Sequence, residues 1–167
     1  MLPADFWIER LQLTPHPEGG YYRETYRCRE RIDPDGLPAR YSGPRHMGTA
    51  IYFMLTSGSF SSFHRLKSDE AWHFYTGHPI TLHRISPKGK LTTHLIGNDP
   101  MQEQEFQVLI PANEWFAAEV VAGGEYGLVG CTVAPGFDFE DFEMATRPDL
   151  LTRFPQHEGL IRQFTRE

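Results

Sequence analysis

Two cysteines stand among the 167 residues, Cys28 and Cys131, far apart and in no Cys-x-x-Cys pattern. That scarcity rules against a disulfide scaffold and a zinc ribbon, leaving two idle or buried thiols. Basic residues are also few: 16 Lys and Arg against 22 Asp and Glu give a formal net charge of −6, and no basic run occurs. A surface for nucleic acid or anionic lipid needs a positive footprint, so neither nucleic acid nor a membrane is an expected partner. Long apolar runs are missing too, none approaching the roughly 18 residues of a membrane helix. The opening Met1-Leu-Pro-Ala-Asp-Phe-Trp7 carries an acid and lacks both a basic start and an apolar stretch. It does not read as a signal peptide, and a cytoplasmic location is the expectation. There is no Gly-x-Ser-x-Gly elbow and no glycine-rich phosphate loop, so serine hydrolysis and nucleoside-triphosphate chemistry have no support.

What is present is a globular profile, 40% hydrophobic and 13% aromatic, which predicts an interior rich in rings. The length fits a single domain over 1–167. From Pro3 to Leu13, Trp7, Ile8 and Leu11 fall at helical intervals between Pro3 and Pro15. From Tyr21 onward, short aromatic and β-branched runs alternate with breakers such as Ser86-Pro-Lys-Gly89 and Gly97-Asn-Asp-Pro100. Nine strands are predicted: 21–27, 49–55, 60–66, 71–75, 80–85, 92–96, 106–110, 115–120 and 126–133. The connections are too short for crossover helices, which favours an antiparallel sandwich or barrel over parallel α/β architecture. Helical spacing returns over 148–165, with Pro148 near a helix start and Pro155 as a break. The expectation is a core barrel at about 21–135 with flanking helices at about 3–13 and 148–165.

Chemistry concentrates in one stretch, where Gly58 is followed at fixed intervals by His64, Leu66, Glu70 and Gly77. This spacing resembles the first sequence motif of the cupin superfamily, with Leu66 where a second histidine usually stands. Downstream, Pro111-Ala-Asn113-Glu-Trp-Phe116 sits where the second cupin motif belongs; Asn113 replaces a glycine and Phe116 a ligand histidine. Asn also enters left-handed backbone, so that exchange is tolerable. With His16-Pro-Glu-Gly-Gly20 near the start and Pro135-Gly-Phe-Asp-Phe-Glu-Asp-Phe-Glu143 near the end, the chain resembles an uncharacterised, domain-of-unknown-function branch of the cupins, of the cupin family five type. The resemblance implies an all-β fold, a double-stranded β-helix or jelly-roll barrel with short helices at both ends, acting as a homodimer or higher homo-oligomer.

Strand alternation puts Phe60, Ser62, His64 and Leu66 on one face, and Glu70, Trp72 and Phe74 on one face of the next strand. His64 and Glu70 are therefore the candidate catalytic pair. Ser62, Leu66, Trp72, Phe74, Phe116 and Glu18 are the candidate ligand-binding residues. A glutamate among rings is expected to be hard to ionise, which suits proton transfer. The expected ligand is a small polar or sugar-like metabolite, with metal-independent isomerisation or epimerisation as the chemistry and no cofactor. The alternatives are a metal-dependent enzyme such as a dioxygenase, with a divalent transition metal on His64, Glu70 and His73, and a scaffold or storage-like cupin with an inert interior. A regular strand turns His73 away from Glu70, so the metal alternative requires a bulge. The segment from Asp138 to Glu143 alternates acids with Phe139 and Phe142 and reads as a surface loop held by its rings.

Overall fold

The computed structural model describes residues 1–166. Helix α1 (Ala4–Leu11) leads into β1 (Thr14–Pro15) and β2 (Tyr21–Arg27), followed by a small ribbon of β3 (Arg31–Ile32) and β4 (Arg45–His46). Eight long strands follow: β5 (Thr49–Thr56), β6 (Phe60–Leu66), β7 (Asp69–Gly77), β8 (Ile80–Ile85), β9 (Leu91–Ile96), β10 (Gln107–Ile110), β11 (Trp115–Val120) and β12 (Tyr126–Ala134). Strand β13 (Phe142–Met144) and helices α2 (Arg147–Arg153) and α3 (Glu158–Gln163) complete the order. One sheet runs β1-β2-β5-β12-β7-β10 and the other β13-β6-β11-β8-β9, each built from antiparallel pairs. All nine predicted strands are present, and the fold is all-β with short terminal helices.

Period-two alternation assigns every strand two jobs. On β5, Phe53 and Leu55 face the interior while Met54 and Tyr52 face out under α1, where Trp7, Ile8 and Leu11 cover them. On β11, Phe116, Ala118 and Val120 point inward while Trp115 and Ala117 point out under Leu150, Phe154, Ile161 and Phe164 of the C-terminal segment. The flanking helices thus bury rings that the sheets would otherwise leave wet, each worth about 1.5–3 kcal/mol when fully covered.

The interior is filled at one end only. Leu55, Ile80, Leu82, Ile96, Val120 and Val129 pack it there. Toward the start of β5 and β7 and the end of β6 and β12, the inward side chains surround a cavity of about 460 Å³. Turns behave as their residues demand: Asn113 takes φ 66, and Gly89 takes φ 80 as it closes the Ser86 turn.

Candidate functional site

The site begins with a turn that pushes a side chain into the barrel. Between β1 and β2, the His16 N–H bonds to the Gly20 carbonyl (3.0 Å) and the Gly19 N–H to the His16 carbonyl (3.0 Å). Gly19 and Gly20 adopt φ 116 and 72, and a Cβ on either would run into the backbone carbonyl of Phe60 or Met54. Only glycine permits both the conformation and the approach. The turn docks on β6 through the Ser62 N–H, which donates to the Glu18 carbonyl (2.8 Å), and this delivers the Glu18 side chain to the cavity.

That docking disturbs β6. The pairing with β11 runs Phe116 with His64 but Ala118 with Ser61, so β6 carries one extra residue. A bulge reverses side-chain parity. Ser61, not Ser62, therefore meets the site: its hydroxyl donates to Glu18 Oε1 at 2.8 Å. Ser62 is buried with its hydroxyl unpartnered, and Phe60 packs outward against Phe164. The expected lining role of Ser62 and the expected shared face with Phe60 are corrected accordingly.

His64 is 2% exposed, Glu18 5% and Glu70 7%. His64 Nδ1 lies 2.7 Å from the Ser62 carbonyl, which can only accept, so Nδ1 carries the ring hydrogen. The opposite nitrogen, Nε2, sits 3.0 Å from Glu18 Oε2. Burial pulls the His64 pKa down to about 3, opposed by the Ser62 bond and assisted by His16. Burial also pushes the Glu18 carboxyl well above the usual carboxylate range, and the nearby Glu70 charge adds to this against the Ser61 bond. The pair is accordingly a neutral hydrogen bond, with the Glu18 acid proton donated to the His64 lone pair. His16 holds the opposite tautomer: the Glu18 N–H donates to its Nδ1 (3.3 Å), and burial lowers its pKa to about 4.

Glu70 shares its face of β7 with Trp72, whose indole N–H donates to Glu70 Oε1 at 3.1 Å. Burial raises Glu70 to about 7 despite donors from Trp72 and the Cys131 thiol, and the same burial pushes that thiol up. No hydrogen bond joins His64 to Glu70; the direct partner of His64 is Glu18, expected from the sequence as a ligand-binding residue. Leu66 and Trp72 line the cavity. Phe116 does not line it but packs on the His64 ring with centroids 4.0 Å apart. Phe74 packs against the hydrophobic interior two positions beyond Trp72, just short of the bulge at Tyr75 opposite Leu128 and Val129, and does not line the cavity.

A divalent metal held in the four-ligand cupin manner does not fit these residues. Leu66 and Phe116 occupy two of the four positions, and both His64 nitrogens are engaged. His73 points out of the barrel, with Nδ1 on Gln107 (2.8 Å) and Nε2 on Thr132 (2.9 Å), so His64, Glu70 and His73 are not brought together. Among the described residues no three His, Cys, Asp or Glu are grouped to hold a metal ion.

Several wall residues carried no signal of that role in the sequence. Tyr22, Glu24 and Arg27 come from β2, where a bulge past Glu24 returns Arg27 to the inner side. Asp138, Phe139 and Phe142 come from the segment expected to be a surface loop, and Phe137 directly precedes it. That segment is a strap: Met144 and Phe142 pair with His64 and Leu66 as β13, and Arg45 grips Asp141 with Nε–Oδ2 2.6 Å and Nη2–Oδ1 2.7 Å, both side chains 3% exposed. Lys67 adds a third contact at 3.3 Å.

The model of the Cupin superfamily (DUF985) matches residues 5–145, most of the chain. The chain belongs to the cupin superfamily. Among cupins of known structure, it is 38% identical to a hypothetical protein from Leishmania major, with TM-score 0.91 over 99% of this chain and 100% of that one. A protein from Shewanella oneidensis is 39% identical, with TM-score 0.89 over 99% of each chain. An uncharacterised protein of Saccharomyces cerevisiae is 28% identical over 153 residues, 86% of this cupin and 76% of the yeast chain. Among the described residues, no helix of this cupin is long and apolar enough to cross a membrane.

Proposed function

We propose that this cupin binds a small molecule with a flat or sugar-like body and moves protons on it through Glu18, His64 and Glu70, as in isomerisation or epimerisation next to a carbonyl. The observation that carries the reading is the Glu18–His64 contact, a carboxyl 3.0 Å from an imidazole at the wall of an open cavity. A cavity of about 460 Å³ is also of ligand size, which speaks against an inert scaffold.

The proposed chemistry divides the roles by environment. Glu70, at about 7, interconverts between acid and carboxylate near neutrality and takes the proton from the carbon beside the ligand carbonyl. The Glu18 acid proton passes to the carbonyl oxygen, and the carboxylate left behind keeps the Ser61 hydroxyl as a donor. His64 is a positioning residue whose Nε2 holds the Glu18 proton until the ligand carbonyl takes its place as acceptor. On a ligand with a hydroxyl at the deprotonated carbon, Glu70 returns its proton to the former carbonyl carbon while the Glu18 carboxylate takes the proton of that hydroxyl, which gives an isomer. Where the planar enediol turns over first, Glu70 returns its proton to the original carbon from the other face, Glu18 takes back its own, and an epimer results.

After a metabolite screen supplies a turned-over ligand, Glu18→Gln and Glu70→Gln are each expected to lower turnover by about 10²–10⁴-fold. If both variants keep wild-type affinity and turnover, the reading fails. We also propose that the chain works as a homodimer or higher homo-oligomer, and light scattering behind a sizing column tests this: a monomer at working concentration refutes it.

A further inference from the structure

Four carboxyls stand around the cavity, Glu18, Glu24, Glu70 and Asp138, against one guanidinium, that of Arg27. Arg27 is already committed. Its Nε and Nη2 hold Glu24 at 3.0 and 2.7 Å, and its Nη1 donates to the Phe137 carbonyl at 3.0 Å. Arg166 reaches only the backbone carbonyl of Glu18, at 3.4 Å. The two imidazoles are neutral and engaged with the Glu18 turn and β6. Among the described residues, Glu18 and Glu70 therefore have no lysine or arginine partner, although both are more than nine-tenths buried.

Buried acids without a counter-charge are costly, and the other buried acid among the described residues, Asp141, is paired with Arg45 and Lys67. The remaining walls add a second feature. Tyr22, Phe53, Trp72, Phe137, Phe139 and Phe142 turn rings to the same space, and ring faces attract cations.

We infer that the ligand carries the missing positive charge: an organic amine whose ammonium head sits between Glu70 and Glu18 and whose body lies among the rings. The inference rests on the reading of this cavity as the ligand site. Carboxylates and phosphates are the classes it disfavours, because every cation in the walls is already spent. Binding of the amine draws Glu70 into its ionised form, so uptake of the ligand near neutral pH releases protons.

Benzylammonium, benzyl alcohol and benzoate share one body and differ in charge, and titration calorimetry of the full chain with each tests the inference. Benzylammonium is expected to bind roughly ten-fold more tightly than benzyl alcohol, with benzoate weakest. Its affinity rises from pH 5.5 to pH 8, and heats in buffers of different ionisation enthalpy reveal proton release at pH 7. Glu70→Gln removes the preference for the amine; the buffer comparison on wild-type protein stands even if that variant misfolds. Benzoate binding as tightly as the amine, equal affinities for amine and alcohol, or no saturable binding by any of the three overturns the inference. An amine-selective cavity without turnover defeats the proton-transfer reading alone, while turnover of a neutral or anionic substrate defeats this one alone.

Discussion

Two buried acid sites in this chain have opposite solutions to the same physical problem. At the strap, Asp141 is matched by cations: burial pushes its carboxyl up, but the Arg45 bonds and charge, with Lys67, prevail and hold it below the usual range. In the cavity, Glu18 and Glu70 have no such partner, and burial drives both upward. The first arrangement closes a structure and the second leaves one incomplete. Strain of that second kind persists where something else is to be bound.

The comparison is broken most forcefully at the strap. Arg45→Met leaves Asp141 without its bidentate partner and is expected to cost about 3–5 kcal/mol at pH 7 in urea denaturation. Because Asp141 is depressed in the folded protein, the pair's contribution is fully present above the ordinary carboxylate range. It is lost as pH falls below that range, so wild type and variant converge on acidification. A loss under 1 kcal/mol at pH 7 would mean that the clamp is dispensable.

Glu70→Gln is expected to act in the opposite direction. The folded protein keeps Glu70 protonated up to about 7, whereas the unfolded chain ionises it near the ordinary glutamate value of 4.5. Between those values the folded state binds more protons, so stability falls as pH rises and the penalty is complete above about 7. The variant should therefore be more stable than wild type by roughly 2–3 kcal/mol at pH 8, by under about 1 kcal/mol at pH 5, and nearly equal to it at pH 4. Equal stability at all three values would place an unseen counter-charge beside Glu70.

The smallest expected effect comes from Trp72→Phe, which removes one donor from Glu70. About 1 kcal/mol of stability should be lost, and the Glu70 midpoint should move above about 7 in a carboxyl-resolved NMR titration. A midpoint that stays in place would show that the indole bond does not reach the carboxylate.

The barrel was legible because alternation and turn residues are local signals: every long strand lies where its period-two pattern placed it. The site was legible only where local rules held. Glu70, Trp72 and Leu66 follow strand parity into the cavity, but Ser62 does not, because the docked His16–Gly20 turn takes its backbone N–H and inserts a bulge. Glu18 was read as a candidate ligand-binding residue but not as a partner of His64; its burial depends on β6, 43 positions away at Ser61. The strap was misread for the same reason. Its acids alternate with rings as in a wetted loop, and nothing in that pattern announces Arg45, 96 residues upstream of Asp141.

The proposed chemistry turns on the neutral hydrogen bond between Glu18 and His64, with the His64 proton on Nδ1. Nitrogen-detected NMR of the imidazole rings tests it directly. The expected result is a His64 signal of the Nδ1–H tautomer that persists without protonation until pH falls toward about 3, beside a His16 ring of the opposite tautomer. A His64 ring that titrates near 6.5, or that carries its proton on Nε2 at neutral pH, would contradict the account.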